Sequence, residues 1–115
     1  MKDHDLVHSV LHGIDQAPIS EAEKVLLRFI EKVNRQSSQL QREDVERVRQ
    51  AGWSDEAIFD AITVCALFNF YNRWCDANGV QDMPGEGYAA SALRLAHSGY
   101  VHPHEKEKIM AAGAE

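Results

Sequence analysis

Three groups of side chains in this sequence could do chemistry. The first is a pair of thiols, Cys65 and Cys75, ten positions apart in a segment with helical character. On a helix that spacing is about 15 Å along the axis. A disulfide needs Cα atoms within about 7 Å, so the two are not expected to bridge within one chain. Neither belongs to a Cys-x-x-Cys pair, the spacing of dithiol redox chemistry. Cys65, between Val64 and Ala66, reads as a small core residue. Cys75 lies nearer the helix end among polar residues and is the candidate catalytic thiol. A free thiol is usually inert unless exposed and close to positive charge. Arg73, two positions away, points elsewhere on a helix.

The second group is a run of polar positions on the same segment: Asn69, Asn72, Arg73 and Asp76. They fall at i, i+3, i+4 and i+7, one narrow seam on an otherwise apolar rod. Three readings stand side by side: a buried hydrogen-bonding seam that fixes a loop or subunit contact, plain exposure with Arg73 and Asp76 as an i,i+3 pair, or a ligand site. The structural seam is the preferred one. The third group is histidine. His4, His8 and His12 recur along one face of a first helix. Adjacent pairs could chelate a metal, but His4 and His12 would lie about 12 Å apart and cannot share an ion. His97, His102 and His104 could approach only in space. The ordinary reading is a solvated helix face.

Weaker patterns fall away on inspection. Asp76-Ala77-Asn78-Gly79 opens like a calcium loop, but with its glycine in the wrong place. Gly85-Glu86-Gly87 follows no strand and is no phosphate cradle. A helix-turn-helix drawn around Gly52 would present Asp55, Glu56 and Asp60 to a DNA backbone, the wrong sign. Residues 24–49 are net basic, but their charges interleave as on a solvated face.

The elements that must position these groups are helices. β-branched residues never alternate usefully, whereas 3.6-residue periodicity recurs, and it predicts five to six helices. The first spans about Asp5 to His12 and stops at Gly13. Ser20-Glu21-Ala22-Glu23 is a capping box, and the helix it opens carries Ala22, Leu26, Phe29, Ile30 and Val33 as one stripe. Gln36 to Gln41 reads as a polar linker. A third helix, about Glu43 to Ala51, puts Val45 and Val48 on one face and ends at Gly52. The fourth is capped by Ser54, has Asp55 and Glu56 in its first turn where the macrodipole favours acids, and runs to about Ala77 before an Asn78-Gly79 stop. It is apolar on nearly every side through its middle, which predicts burial all round. A chain this small has few helices to surround it, so a homo-oligomer, dimer or higher, built on the 54–78 helix is expected. Met83 to Gly87 reads as a loop, then a fifth helix of about Tyr88 to His97 carries Ala89, Leu93 and Ala96. A short last helix begins at His102-Pro103, with proline in its first turn.

Composition bounds the rest. The chain has 115 residues, 44% hydrophobic and 26% charged, which predicts one folded domain over residues 1–115. Eighteen acidic against twelve basic residues give a net charge of −6, which argues against a nucleic-acid surface. The most apolar stretch is broken by Asp60 and falls short of a membrane span. The charged start at Met1-Lys2-Asp3 does not read as a secretory signal. Two cysteines suit a reducing compartment, so the expected address is cytoplasmic, with no membrane, no nucleic acid and no cofactor.

Two runs carry a resemblance: Ala51-Gly52-Trp53-Ser54-Asp55-Glu56-Ala57-Ile58, and Ala66-Leu67-Phe68-Asn69-Phe70-Tyr71-Asn72-Arg73. Upstream, Ala17-Pro18-Ile19-Ser20 leads a helix ending near Lys32-Val33-Asn34-Arg35, followed by Glu43-Asp44-Val45. Together they resemble the C-terminal half of the peroxidase-related branch of the AhpD-like, carboxymuconolactone decarboxylase superfamily, over about residues 5–80. Asn69-x-x-Asn72-Arg73 is the most specific piece. The resemblance implies an all-α, AhpD-like helical bundle with one long central buried helix, and an oligomer. For typical members it implies thiol-dependent peroxide reduction through a Cys-x-x-Cys helix flanked by Glu and His. This chain is expected to begin where that helix would end, and no residue here matches the dithiol. The expectation is therefore a structural or binding subunit without peroxidase activity of its own. The alternatives are a single-thiol peroxidase through Cys75, an enzyme completed by a separate dithiol-bearing chain, and a start codon placed too late.

Overall fold

The computed structural model describes residues 4–100 and 103–112, and they are all-helical, with no strand among them. Six α-helices follow in order: α1 (His4–His12), α2 (Glu21–Gln36), α3 (Arg42–Gln50), α4 (Asp55–Ala77), α5 (Gly85–Ser98) and α6 (Pro103–Ala112). A 3-10 turn at Ser37–Gln39 occupies the expected polar linker. The chain divides into two compact units, Met1–Asn78 and Gly79–Glu115.

In the first unit, α2 starts where its capping chemistry dictates. The Glu23 amide donates to Ser20 Oγ at 3.2 Å, and the Ser20 amide donates back to Glu23 Oε2 at 2.8 Å. Phe29 then reaches into a small core with Val48 of α3 and Ile58 of α4, flanked by Val25, Leu26, Ile30, Val33, Leu40, Val45, Trp53 and Ile62. Val48 is completely buried. Polar bonds set the helices around this core. The Trp53 indole N–H donates to the Ala22 carbonyl at 2.8 Å, tying the α3–α4 turn to the start of α2. Lys32 Nζ donates to Asp44 Oδ2 at 2.7 Å, linking α2 to α3. Arg49 joins Asp55 at 2.6 Å across the α3–α4 turn, and Arg28 pairs with Asp15 ahead of α2.

Between α3 and α4, Gly52 takes φ +104°, a backbone that side chains rarely adopt. Ser54 Oγ then accepts from the Ala57 amide at 3.1 Å and caps α4. That helix has 23 residues, roughly 35 Å of rod, as the sequence predicts. Its burial is not as predicted. Only Ile58 is buried, and beyond Ile62 only Cys65, Asn69 and Cys75 are even half-buried. The central buried helix is thus corrected to a helix anchored by its first turns and bare on its outer face. The reason is geometric: α2 and α3 pack on one side of it, and no helix of this unit covers the other.

In the second unit, α5 begins at Gly85, inside the expected loop, with Pro84 at its N-cap. Proline precedes the helix without obstructing it, because the first-turn amides need no helical partner. The Tyr88 hydroxyl donates to Asp82 Oδ1 at 3.3 Å. Ala89, Leu93 and Ala96, the residues singled out on this helix, are all exposed. Gly99 closes the helix with φ +66°.

Candidate functional site

The polar seam of α4 meets the end of α2 over an open groove of about 680 Å³. Its floor is apolar, with Ile14, Leu27, Ile30, Ala61 and Phe68 among its lining residues, and its polar end holds Asn34, Asn69 and Asn72. Asn69 is the hub. Its Nδ2 donates to Asn34 Oδ1 at 2.6 Å and to the Cys65 carbonyl at 3.0 Å, and lies 3.7 Å from Cys65 Sγ. Arg73 Nη1 donates in turn to Asn69 Oδ1 at 2.6 Å. The chain Arg73–Asn69–Asn34 uses both the donor and the acceptor ends of the Asn69 amide and clamps α4 to α2.

This arrangement sorts the residues picked out from the sequence. Asn69 and Arg73 come together, and Asn72 lines the same groove. Asp76 is exposed, and Arg73 turns back one helical turn to Asn69 instead of forward to Asp76. Cys65, expected in the core, is half-buried and lines the groove beside the Asn69 amide. Cys75 is half-buried ten residues on. Arg73, the only cation on α4, is engaged by Asn69, so the charge that would activate this thiol is directed elsewhere. His4, His8 and His12 all stand exposed on α1, with His12 Nδ1 2.8 Å from the His8 carbonyl. No cluster of metal-ligating side chains occurs among the described residues. His102 and the side chain of His104 lie outside the described residues.

Two positions that link the helices escape the sequence reading. Asn34 sits four residues beyond Ile30 and seven beyond Leu27, so it prolongs the face of α2 that meets α4. A polar residue continuing an apolar stripe was the available signal. Asp44 is the other. It is buried, and it accepts from Lys32 Nζ and from the Gln41 amide at 2.8 Å. The Lys32 bond, then the Gln41 bond, hold its carboxyl below the usual carboxylate range, against the opposing effect of burial.

A second hollow, about 370 Å³, lies between α1, α2 and Trp53 and is almost wholly apolar. Its one carboxylate, Glu23, is committed to capping α2. The Ser20 hydroxyl, then the Ser20 amide, keep that carboxyl's pKa low.

The sequence matches no protein-family model, no curated protein and no solved structure. No helix among the described residues is long and apolar enough to cross a membrane.

Proposed function

We propose that this chain is an AhpD-like helical subunit that works by self-association and carries no peroxidase activity of its own. One observation carries the reading: α4 exposes Val64, Leu67, Phe68, Phe70, Tyr71 and Trp74 along a single 23-residue helix, with Val64 and Phe68 at the edge of the α2 groove. An exposed patch of that size and aromatic content marks an interaction surface. The AhpD-like part of the reading rests on the sequence resemblance around Asn69, Asn72 and Arg73 and on the all-helical fold. The inactivity rests on the missing Cys-x-x-Cys pair and on two cysteines held apart along one helix.

Sedimentation velocity at micromolar concentration tests the first half, with a dimer or larger species expected and a well-folded monomer refuting it. Peroxide consumption with a thiol reductant tests the second. The wild type should match a Cys65→Ser/Cys75→Ser variant. A rate lost specifically on changing Cys75 would make the protein a single-thiol peroxidase.

A further inference from the structure

We infer that the partner on α4 is a second copy of this chain, docked antiparallel along the seam Val64, Leu67, Tyr71 and Trp74. This rests on the self-association reading and specifies its geometry. The four residues recur at i, i+3, i+7 and i+10, the a/d spacing of two helices packed along their length. At about 100° per residue the seam lies across the helix from Ile58 and Ile62, which hold α4 to α2 and α3. Ile58 and Ile62 thus serve the subunit's own core, Val64 edges the groove beside α2, and Leu67, Tyr71 and Trp74 lie on the side away from that core.

The size of the surface fits a copy of the same helix. Phe68, Phe70, Tyr71 and Trp74 are 59%, 60%, 47% and 55% exposed. At about 150–250 Å² for each aromatic side chain they display on the order of 400–500 Å². Val64 and Leu67, 54% and 45% exposed, add to this. The sum approaches the roughly 600–800 Å² per partner of a stable small interface. The surface is also partly pre-ordered: Tyr71 packs edge-on against Phe68 and Phe70, at centroid distances of 6.4 and 5.7 Å. Rings already fixed lose less freedom on docking.

Charge sets the direction. No charged residue occurs between Asp60 and Arg73; Asp60, four residues before Val64, lies on the line of the seam, while Arg73 points off it to Asn69. A parallel pair would place Asp60 beside its own counterpart on the seam. An antiparallel pair moves the two Asp60 carboxylates to opposite ends of the contact and opposes the two helix dipoles. Leu67 then faces Tyr71 of the other copy, and Val64 faces Trp74.

The test uses the full chain. Leu67→Asp and Tyr71→Asp replace exposed side chains, so far-ultraviolet circular dichroism should stay helical while the dimer dissociation constant rises about 30-fold or more. Orientation is read in a Cys65→Ala/Cys75→Ala background by mixing a Val64→Cys chain with a Trp74→Cys chain under mild oxidation. The mixture should cross-link and neither chain alone should. Self-cross-linking of each chain would overturn the antiparallel arrangement. An oligomer untouched by both aspartates would overturn the seam while leaving self-association intact. A monomeric wild type would overturn both, and a shielded Trp74 in that monomer would assign the face to another part of the same chain.

Discussion

Asp44 shows how one side chain can govern a fold with so small a core. It is buried at the α2–α3 contact and bonded to Lys32 Nζ and the Gln41 amide, and its carboxyl is held below its ordinary value by those bonds. A depressed carboxyl pKa contributes stability that is complete above the unfolded value, near 3.9, and disappears as pH falls through the folded one. Asp44→Asn should therefore lower the melting temperature by several degrees at pH 7. The gap to wild type should close as pH falls through the lowered folded-state pKa of Asp44, where both side chains become neutral. Thermal melts from pH 2 to 7 check this, and a constant gap would mean that Asp44 acts by shape alone. Asn69 plays the matching part at the α2–α4 contact, but through bonds to Asn34, Cys65 and Arg73 that involve no carboxylate, so acid should leave its contribution in place. Neither partnership is readable from a linear sequence, because Lys32 and Asn34 are brought to Asp44 and Asn69 only by packing.

At the scale of elements, what the sequence makes legible is what local chemistry decides. Ser20, Glu23 and Ser54 mark their helix starts, and Gly52, Gly79 and Gly99 mark turns by positive φ. Removing the Ser20 hydroxyl should show how much of α2 depends on its cap. Ser20→Ala frees the Glu23 amide and is expected to cost about 1 kcal/mol, or roughly 4–8 °C in melting temperature for a unit of this size. Ser38→Ala, in the exposed 3-10 turn, should leave the melting temperature unchanged and serves as the control. The Pro84-Gly85 start of α5 is less legible, since Pro, Gly and Gly in five residues also describe a loop. Burial of α4 is misjudged for a related reason. Periodicity reports how apolar each side of a helix is, and apolarity on every side fits a helix enclosed within its own chain or one that shares its core with another chain. The count of helices available to enclose it bears on the matter, and within the first unit the core cluster sets α4 against α2 and α3.

At the scale of the whole molecule, the buried cluster of Phe29, Val48 and Ile58 is a thin core among the described residues, while large apolar side chains lie open on α4. If those side chains are covered by a second copy, association is linked to folding, and stability depends on how much protein is present. Each tenfold rise in concentration favours the dimer by about 1.4 kcal/mol. Two chains unfolding together release on the order of 0.5 kcal/mol per kelvin of entropy, so the melting temperature should rise by about 3 °C per decade. Salt should act in the same direction. Each copy carries a net charge of −6, and the seam contains no charged residue between Asp60 and Arg73. Screening therefore weakens the repulsion between copies without touching the contact itself. Calorimetric scans over two decades of concentration, at low and at moderate salt, measure both slopes. A melting temperature independent of concentration would show that the open face of α4 adds nothing to stability by pairing.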